Sequence, residues 1–393
     1  MNVLELLLGL GVGVPALVWL VALAATVRTI LSVPLLRNVV VDQTRTAWPT
    51  LSVISPACNE AQGIEASLRS LLQQDWPALQ LVAINDRSTD DTGAIMDRVA
   101  QEDPRLTAVH ITQLPDGWLG KVHALHQGTR HARGDWLLFA DADVEFAPGS
   151  LKQAITHAEA RGLDLLTAIP EIAPMGAAGD AVFNAAGVLL CLGARLWAVK
   201  DPASTAVAGV GAFILVRRSA FEASPGFEWL RLEVADDVGL GLLLKTHGGR
   251  CDVVNGRGAL RLAWYASFVD LRDKMQKNFF GILARFSLLR ALAMAAVLTW
   301  WSTFPVALLV PGLPAWAAVT TGVGLLALVA SAVMYAAWAR RPLGPAVVVP
   351  LGMVLMVYLL LRSTVVGRRL GGITWRGRLY PTALLKAAQK VKV

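Results

Sequence analysis

The sequence predicts an α/β domain with a mostly parallel sheet, set between apolar segments long enough to cross a membrane. Three observations carry that expectation. Short apolar runs alternate with stretches of helical spacing through the middle of the chain. Such alternation is the mark of a parallel sheet covered by helices. Polar residues with chemical capacity gather where the apolar runs end. Finally, 55% of the 393 residues are hydrophobic and the mean hydropathy is +0.51, with the excess lying at the two ends of the chain. Soluble domains average about 45–50% apolar residues, glycine included.

Taken in order, residues 3–27 form an apolar run interrupted only by Glu5. Such a run spans a bilayer core of about 30 Å. A cleaved leader would carry a basic start, and residues 1–10 contain no Lys or Arg, so residues 1–30 are expected to remain as an anchor. Arg28, Arg37 and Arg45 follow, and positive charge marks the cytoplasmic flank. The α/β domain, 48–265, is therefore expected on the cytoplasmic side of an inner membrane. Its predicted strands are 51–55, 79–84, 106–111, 136–140 and 163–169, with helices at 63–74 and 92–100. Ligands of parallel sheets bind beyond the carboxyl ends of the strands, so the residues there are the candidates for function.

Residues 266–290 mix apolar positions with Asp270, Arg272, Asp273, Lys274, Lys277, Arg285 and Arg290. This pattern suits amphipathic helices at a membrane surface. Within 291–361, apolar segments run over 291–310, 315–339 and 346–361, with the turn Pro311-Gly312-Leu313-Pro314 between the first two. The last is short and holds Pro350, with Pro345 just before it, so a re-entrant or interfacial course is expected. The basic tail, 362–393, is expected in the cytoplasm.

The formal charge is +7, and many of the arginines flank apolar stretches. That distribution suits anionic lipid headgroups. No nucleic-acid motif is present, and nucleic acid is not an expected partner. Cys58, Cys191 and Cys251 are far apart and lack metal-ligand spacing, which fits a reducing compartment. His123, His126 and His131 lie close in sequence without a matching further ligand, and no metal site is assigned to them.

The run Trp136-Leu137-Leu138-Phe139-Ala140 ends in Asp141-Ala142-Asp143. Residues two apart on a strand share a side. Two carboxylates so close repel unless a positive group lies between them. A hard divalent cation, Mg²⁺ or Mn²⁺, bound also by a substrate phosphate is one answer; a solvated acidic turn is the other. The first strand ends in Pro56-Ala57-Cys58-Asn59-Glu60, a turn able to present backbone to a base or ribose. The second ends in Asp86-Arg87-Ser88-Thr89-Asp90-Asp91-Thr92. There Asp86 can accept hydrogen bonds from a nucleotide, and Ser88 or Asp90 can cap the next helix. Lys121, in Gly117-Trp118-Leu119-Gly120-Lys121, can meet a phosphate, a site carboxylate or a sugar hydroxyl.

Together these stretches resemble a family 2 glycosyltransferase of GT-A fold, over roughly residues 50–290. The carriers are Pro-Ala-x-Asn-Glu at 56–60, Asp-x-Ser-x-Asp-x-Thr at 86–92, Gly-Trp-x-Gly-Lys at 117–121 and Asp-Ala-Asp at 141–143. Gly209-x-Gly211-Ala212-Phe213 is similar to the acceptor-side segment, although Ser224-Pro225-Gly226 stands where a Gly-Gly pair is common. Val234-Ala235-Asp236-Asp237-Val238 resembles the segment with the catalytic base, which falls by register on Asp237, then Asp236, then Glu233. The resemblance implies a nucleotide-diphosphate sugar as donor, with a UDP-sugar expected. The implied donor-binding set is Pro56, Ala57, Asn59, Glu60, Asp86, Ser88, Lys121, Asp141, Arg376 and Arg378. Asp143, with Asp141, would hold the metal, and Asp141 could serve the ribose instead. Single displacement with inversion follows, because no second nucleophile is required.

Processive synthases of the family carry Gln-x-x-Arg-Trp, where this chain has Gln276-Lys277-Asn278-Phe279-Phe280. The motifs together with Trp375-Arg376-Gly377-Arg378-Leu379-Tyr380 look more like membrane enzymes glycosylating carotenoids, hopanoids or related lipids. Transfer of one sugar to a lipid hydroxyl is thus the leading expectation. A processive polysaccharide or oligosaccharide synthase is the first alternative, and a non-catalytic sugar-nucleotide-binding membrane protein the second.

Overall fold

The computed structural model describes residues 3–392. The chain divides into two compact units. A sheet unit comprises Val33–Ala173, Ala198–Trp264 and Thr374–Val393, and a helix unit comprises Met1–Ser32, Pro174–Trp197 and Tyr265–Ile373.

The strands of the sheet unit are β1 (Leu51–Ala57), β2 (Leu79–Asp86), β3 (Leu106–Ile111), β4 (Trp136–Phe139), β5 (Glu145–Phe146), β6 (Leu165–Ile169), β7 (Glu171–Ile172), β8 (Ile214–Arg217), β9 (Cys251–Asn255) and β10 (Leu260–Leu262). Seven of them form one sheet in the order β3-β2-β1-β4-β8-β6-β9. Its pairs are parallel except those of β8, which runs against both β4 and β6. The central strands are buried along their length, as parallel strands covered on both faces must be. The expected α/β class and mostly parallel sheet are therefore present. A second sheet, β5-β10-β7, was not visible in the sequence, because strands of two or three residues carry no periodicity.

Register positions the site. Leu51 lies opposite Leu79 and Ala57 opposite Asn85, so β1 and β2 end level with one another. Ile54 lies opposite Phe139, so β4 ends lower and Asp141 and Asp143 follow in the turn beyond it. Helix Ile64–Leu72 buries Ile64, Leu68 and Leu71 at helical spacing. Helix Gly120–His131 packs on β1 and β2 through Gly128, where a side chain would collide with Ile54 and Ile84.

Among the described residues, four helices of the helix unit are long and apolar enough to cross a membrane: Glu5–Ser32, Leu288–Leu309, Ala315–Trp338 and Val349–Arg369. The second is α-helical over Leu288–Thr303 and continues as a 3₁₀ turn. Small residues let neighbours approach: Gly324 meets Ala16, and a Cβ on Gly187 would enter the ring of Tyr335.

Two expectations need correction. Pro174–Trp197, expected inside the 48–265 domain, belongs to the helix unit through the apolar helix Ala177–Gly193. At 17 residues that helix is too short to read as a span. The expected 362–393 tail is not one piece: residues up to Arg369 finish a long helix. Gly372–Trp375 and Arg378–Pro381 then pair as a hairpin, and Thr382–Ala388 is a helix of the sheet unit. The last apolar segment is a continuous 21-residue helix despite its proline, because Pro350 sits in the first turn, where no hydrogen bond is lost. Of the expected 266–290 interface helices, Phe268–Lys274 is α-helical, capped by Ser267, and Lys277–Leu283 is a π-helix.

One ion pair is enclosed in the helix unit. Arg341 donates to Asp180 at 2.6 Å, with side chains 1% and 3% exposed, and its guanidinium lies over the Phe183 ring. Breaking such a pair strands a buried charge. Asp180→Ala or Arg341→Ala is expected to cost about 3–5 kcal/mol, while replacing both by leucine restores most of it. Unfolding of the purified protein in detergent, followed by tryptophan fluorescence, measures this.

Candidate active site

The loops after β1 and β2 are stitched together by the predicted polar residues. The Asn59 N–H donates to Ser88 Oγ at 3.0 Å, and Asn59 Oδ1 accepts from the Thr89 N–H at 2.8 Å. The Glu60 N–H donates to Thr92 Oγ1, and the Ala61 N–H to Asp90 Oδ2. Asn59 and Arg87 both take left-handed backbone, at φ of 57° and 56°. Asn59 and Ser88 thus build the rim of the site. Ala57 is buried in the core, so its side chain is not offered to a ligand. Asp86 is also buried, and Arg87 grips both of its oxygens, at 2.7 and 2.9 Å. Arg87 was not among the expected residues, and its position beside Asp86 gives no periodic signal.

Lys121 is the centre of the site. Its Nζ lies 2.6 Å from Asp141 Oδ1 and 3.7 Å from Asp236 Oδ2. Burial by itself would lower the pKa of this ammonium, but Asp141, Asp236 and Asp237 outweigh it and raise the pKa above its ordinary value. Among the roles the sequence allowed, Lys121 therefore takes that of partner to the site carboxylates. Gly211 bridges the same groups through backbone. Its carbonyl accepts from the Asp141 N–H at 3.1 Å, and its N–H donates to Asp237 Oδ2 at 3.1 Å. A Cβ on Gly211 would lie 2.8 Å from Lys121 Nζ and 3.1 Å from Asp141 Oδ2, so a side chain there would oblige the lysine head to shift. A cavity lies here, lined by Pro56, Lys121, Asp141, Gly211, Asp236 and Asp237 among others.

Asp236 and Asp237 open the helix Asp236–Thr246, where negative charge suits the helix dipole. Asp237 Oδ1 accepts from the Val238 N–H at 2.8 Å, which fixes the carboxylate at the cavity wall. Asp236 is buried next to Lys121. Glu233, the third candidate base, is 1% exposed and accepts from three backbone N–H groups. It cannot meet a substrate there, and the expectation for it is corrected.

Asp143 follows Asp141 at the end of β4. Burial, then the charges of Asp141 and Glu60, push its carboxyl up to about 7. Oxygen donors with unbalanced negative charge fit a hard divalent cation. Among the described residues no group of three His, Cys, Asp or Glu forms a metal cage, so substrate and water oxygens would complete the shell. His123 and His126 pack against Trp118 instead. Arg376 pairs with Glu60, and Arg378 with Asp116 at 3.0 Å. The tail hairpin thereby joins the donor-side residues of the sheet unit.

Comparison with known proteins bears on the family and the fold. Residues 52–223 match the model of glycosyl transferase family 2. A "4,4'-diaponeurosporenoate glycosyltransferase" of Staphylococcus aureus strain bovine RF122 / ET3-1 is 41% identical over 98 residues, covering 25% of this chain and 24% of the relative. The protein of the same name from strain MRSA252 is 35% identical over 108 residues, 27% of either chain. The chain thus spans about a quarter of the length of these relatives. Among solved structures, a mannosyltransferase from Pyrobaculum calidifontis, in complex with GDP-Man and Mn2+, superimposes with a TM-score of 0.58 at 21% identity. The match covers 91% of this chain and 98% of that one. The chain carries a glycosyl transferase family 2 domain on a mostly parallel, GT-A-like sheet.

Proposed function

We propose that the protein transfers a single sugar from a nucleotide-diphosphate sugar to a hydroxyl of a lipid acceptor, with inversion. The observation that carries this reading is the Lys121 cluster, which ties the strand-end Asp141 to the helix-start pair Asp236 and Asp237 around one cavity. On this reading, the donor-side and acceptor-side acids line one cavity. The name of the S. aureus relatives supports a carotenoid-like acceptor.

In this mechanism Asp237 takes the proton of the acceptor hydroxyl as its oxygen attacks the anomeric carbon. The bond from that carbon to the diphosphate breaks on the opposite face, and the electron pair leaves with the diphosphate. The Gly211 and Val238 N–H groups keep Asp237 oriented. Each donates to a different oxygen, and both oxygens retain acceptor capacity. Lys121 offsets the charge of three neighbouring carboxylates. Asp143, with Asp141, would hold Mg²⁺ or Mn²⁺. Such an ion, when bound, supplies positive charge to the leaving diphosphate. Asp86 and Arg87 face the nucleotide as a pair, so a base or ribose, of a UDP-sugar or another donor, meets a donor and an acceptor together. Arg376 and Arg378 can exchange Glu60 and Asp116 for phosphate oxygens, which arginine binds bidentately.

The sheet unit is placed at the cytoplasmic face of the membrane. Thr374–Val393 belongs to that unit, which supports a tail on the same side. The chain between Trp264 and Thr374 must then cross an even number of times. Leu288–Leu309 and Ala315–Trp338 are taken as the crossing pair, and Val349–Arg369 as lying within one leaflet. In support, Gly352 packs on Ala181, while Arg362 and Ser363 bond to Asp273 and Gln276. Ala181, Asp273 and Gln276 all follow, within a dozen residues of sequence, the points where the chain enters the helix unit.

Asp237→Asn is expected to lower the transfer rate about 10²–10⁴-fold with donor binding retained. Radiolabelled donor and calorimetry check the two halves. Single cysteines at Leu343 and Gly371, in a background without Cys58, Cys191 and Cys251, are expected to react with an impermeant thiol reagent from the same side. Labelling from opposite sides would make Val349–Arg369 a third crossing.

A further inference from the structure

We propose that Glu233 is a positioning residue that couples the C-terminal tail to the Asp236–Asp237 pair. Glu233 lies in the buried turn before the helix Asp236–Thr246. Its Oε1 accepts from the Ala235 N–H at 3.0 Å. Its Oε2 accepts from the Lys390 N–H at 2.6 Å and the Val391 N–H at 3.0 Å. A carboxylate in the interior is tolerated only when its oxygens are satisfied. Here two of the three donors come from the end of the chain.

What Glu233 holds is the entry to the acid pair. Ala235 is the cap residue of the helix, and its carbonyl accepts from the Gly239 N–H at 2.7 Å. Gly239 sits one turn in. A Cβ there would lie 3.2 Å from Glu233 Cγ and 3.7 Å from Val391 Cγ2, so tail, glutamate and helix are in mutual contact. Val391 is itself buried. Without the tail, the glutamate loses its Lys390 and Val391 donors and must turn toward water. The Ala235 N–H then loses the acceptor that sets the first turn of the helix. The tail is a strut for the base, in addition to the contacts its hairpin makes at Glu60 and Asp116.

This inference rests on the glycosyl-transfer reading for its kinetic consequence, so the test has two arms, both on the full-length protein in nanodiscs. The first is hydrogen exchange. Glu233→Gln presents one acceptor oxygen in place of two, and a chain ending at Gln389 removes the tail donors. Both are expected to speed exchange at the amides of residues 235–239, while Asp237→Asn leaves the tail amides protected. The second is steady-state transfer. Both changes are expected to lower kcat about tenfold to 10²-fold, as a small misplacement of a base does, with donor KM unchanged. Glu233→Asp, which keeps both oxygens, is expected to recover part of kcat. Unchanged exchange at 235–239 on truncation, or faster exchange with unchanged kcat, would overturn the coupling. If the wild-type protein transfers no sugar, the function fails instead, and the exchange arm still decides whether the latch exists.

Discussion

The site depends on a buried ammonium surrounded by carboxylates. Asp141, Asp236 and Asp237 come from parts of the chain about a hundred residues apart, and close together they would repel. Lys121, from a third element, makes their approach favourable. The conformation that brings strand end and helix start together is thus the one that places this lysine between them. Gly211 eases that placement, since a Cβ there would crowd the ammonium at 2.8 Å. The charge balance left over is uneven: Asp141 has its lysine, whereas Asp143 is left with burial and negative neighbours. One half of the acidic pair is therefore structural as well as chemical, and the other half retains unmet demand for a cation.

The legible part of the fold was the part with periodicity. β1, β2, β3, β4 and β6 were found because buried parallel strands read as apolar runs that stop abruptly at polar residues. The candidate residues were found for the same reason, since Asn59, Asp86, Asp141 and Asp143 stand where those runs stop. What stayed hidden lacked a pattern of its own. β5 and β7 span two residues each. β8 reverses the direction of the sheet, yet nothing in Ile214–Arg217 announces strand direction. The helix Ala177–Gly193 is apolar, but so are the stretches on either side of it, so a reading by segments assigned it to its neighbours.

Partnership was less legible than position. Asp86 was expected to accept hydrogen bonds from a nucleotide, and in the structure its carboxylate is also engaged by the next residue, Arg87. Ala57 belongs to the strand-end motif but its side chain lies in the core. Arg376 and Arg378 were singled out among many tail arginines by resemblance, and the ion pairs with Glu60 and Asp116 give that choice a physical basis. A contact between residue 60 and residue 376 has no local signature. Only the three-dimensional chain path creates it.

That path has a consequence for biosynthesis. The sheet unit is assembled from three separate stretches, and Thr374–Val393 is translated after the other two and after the apolar helix Val349–Arg369. Until that stretch is made, Glu60 lacks Arg376, and Glu233 lacks the Lys390 and Val391 N–H groups. A nascent chain released before it would carry the apolar helices and most of the sheet without these closing contacts.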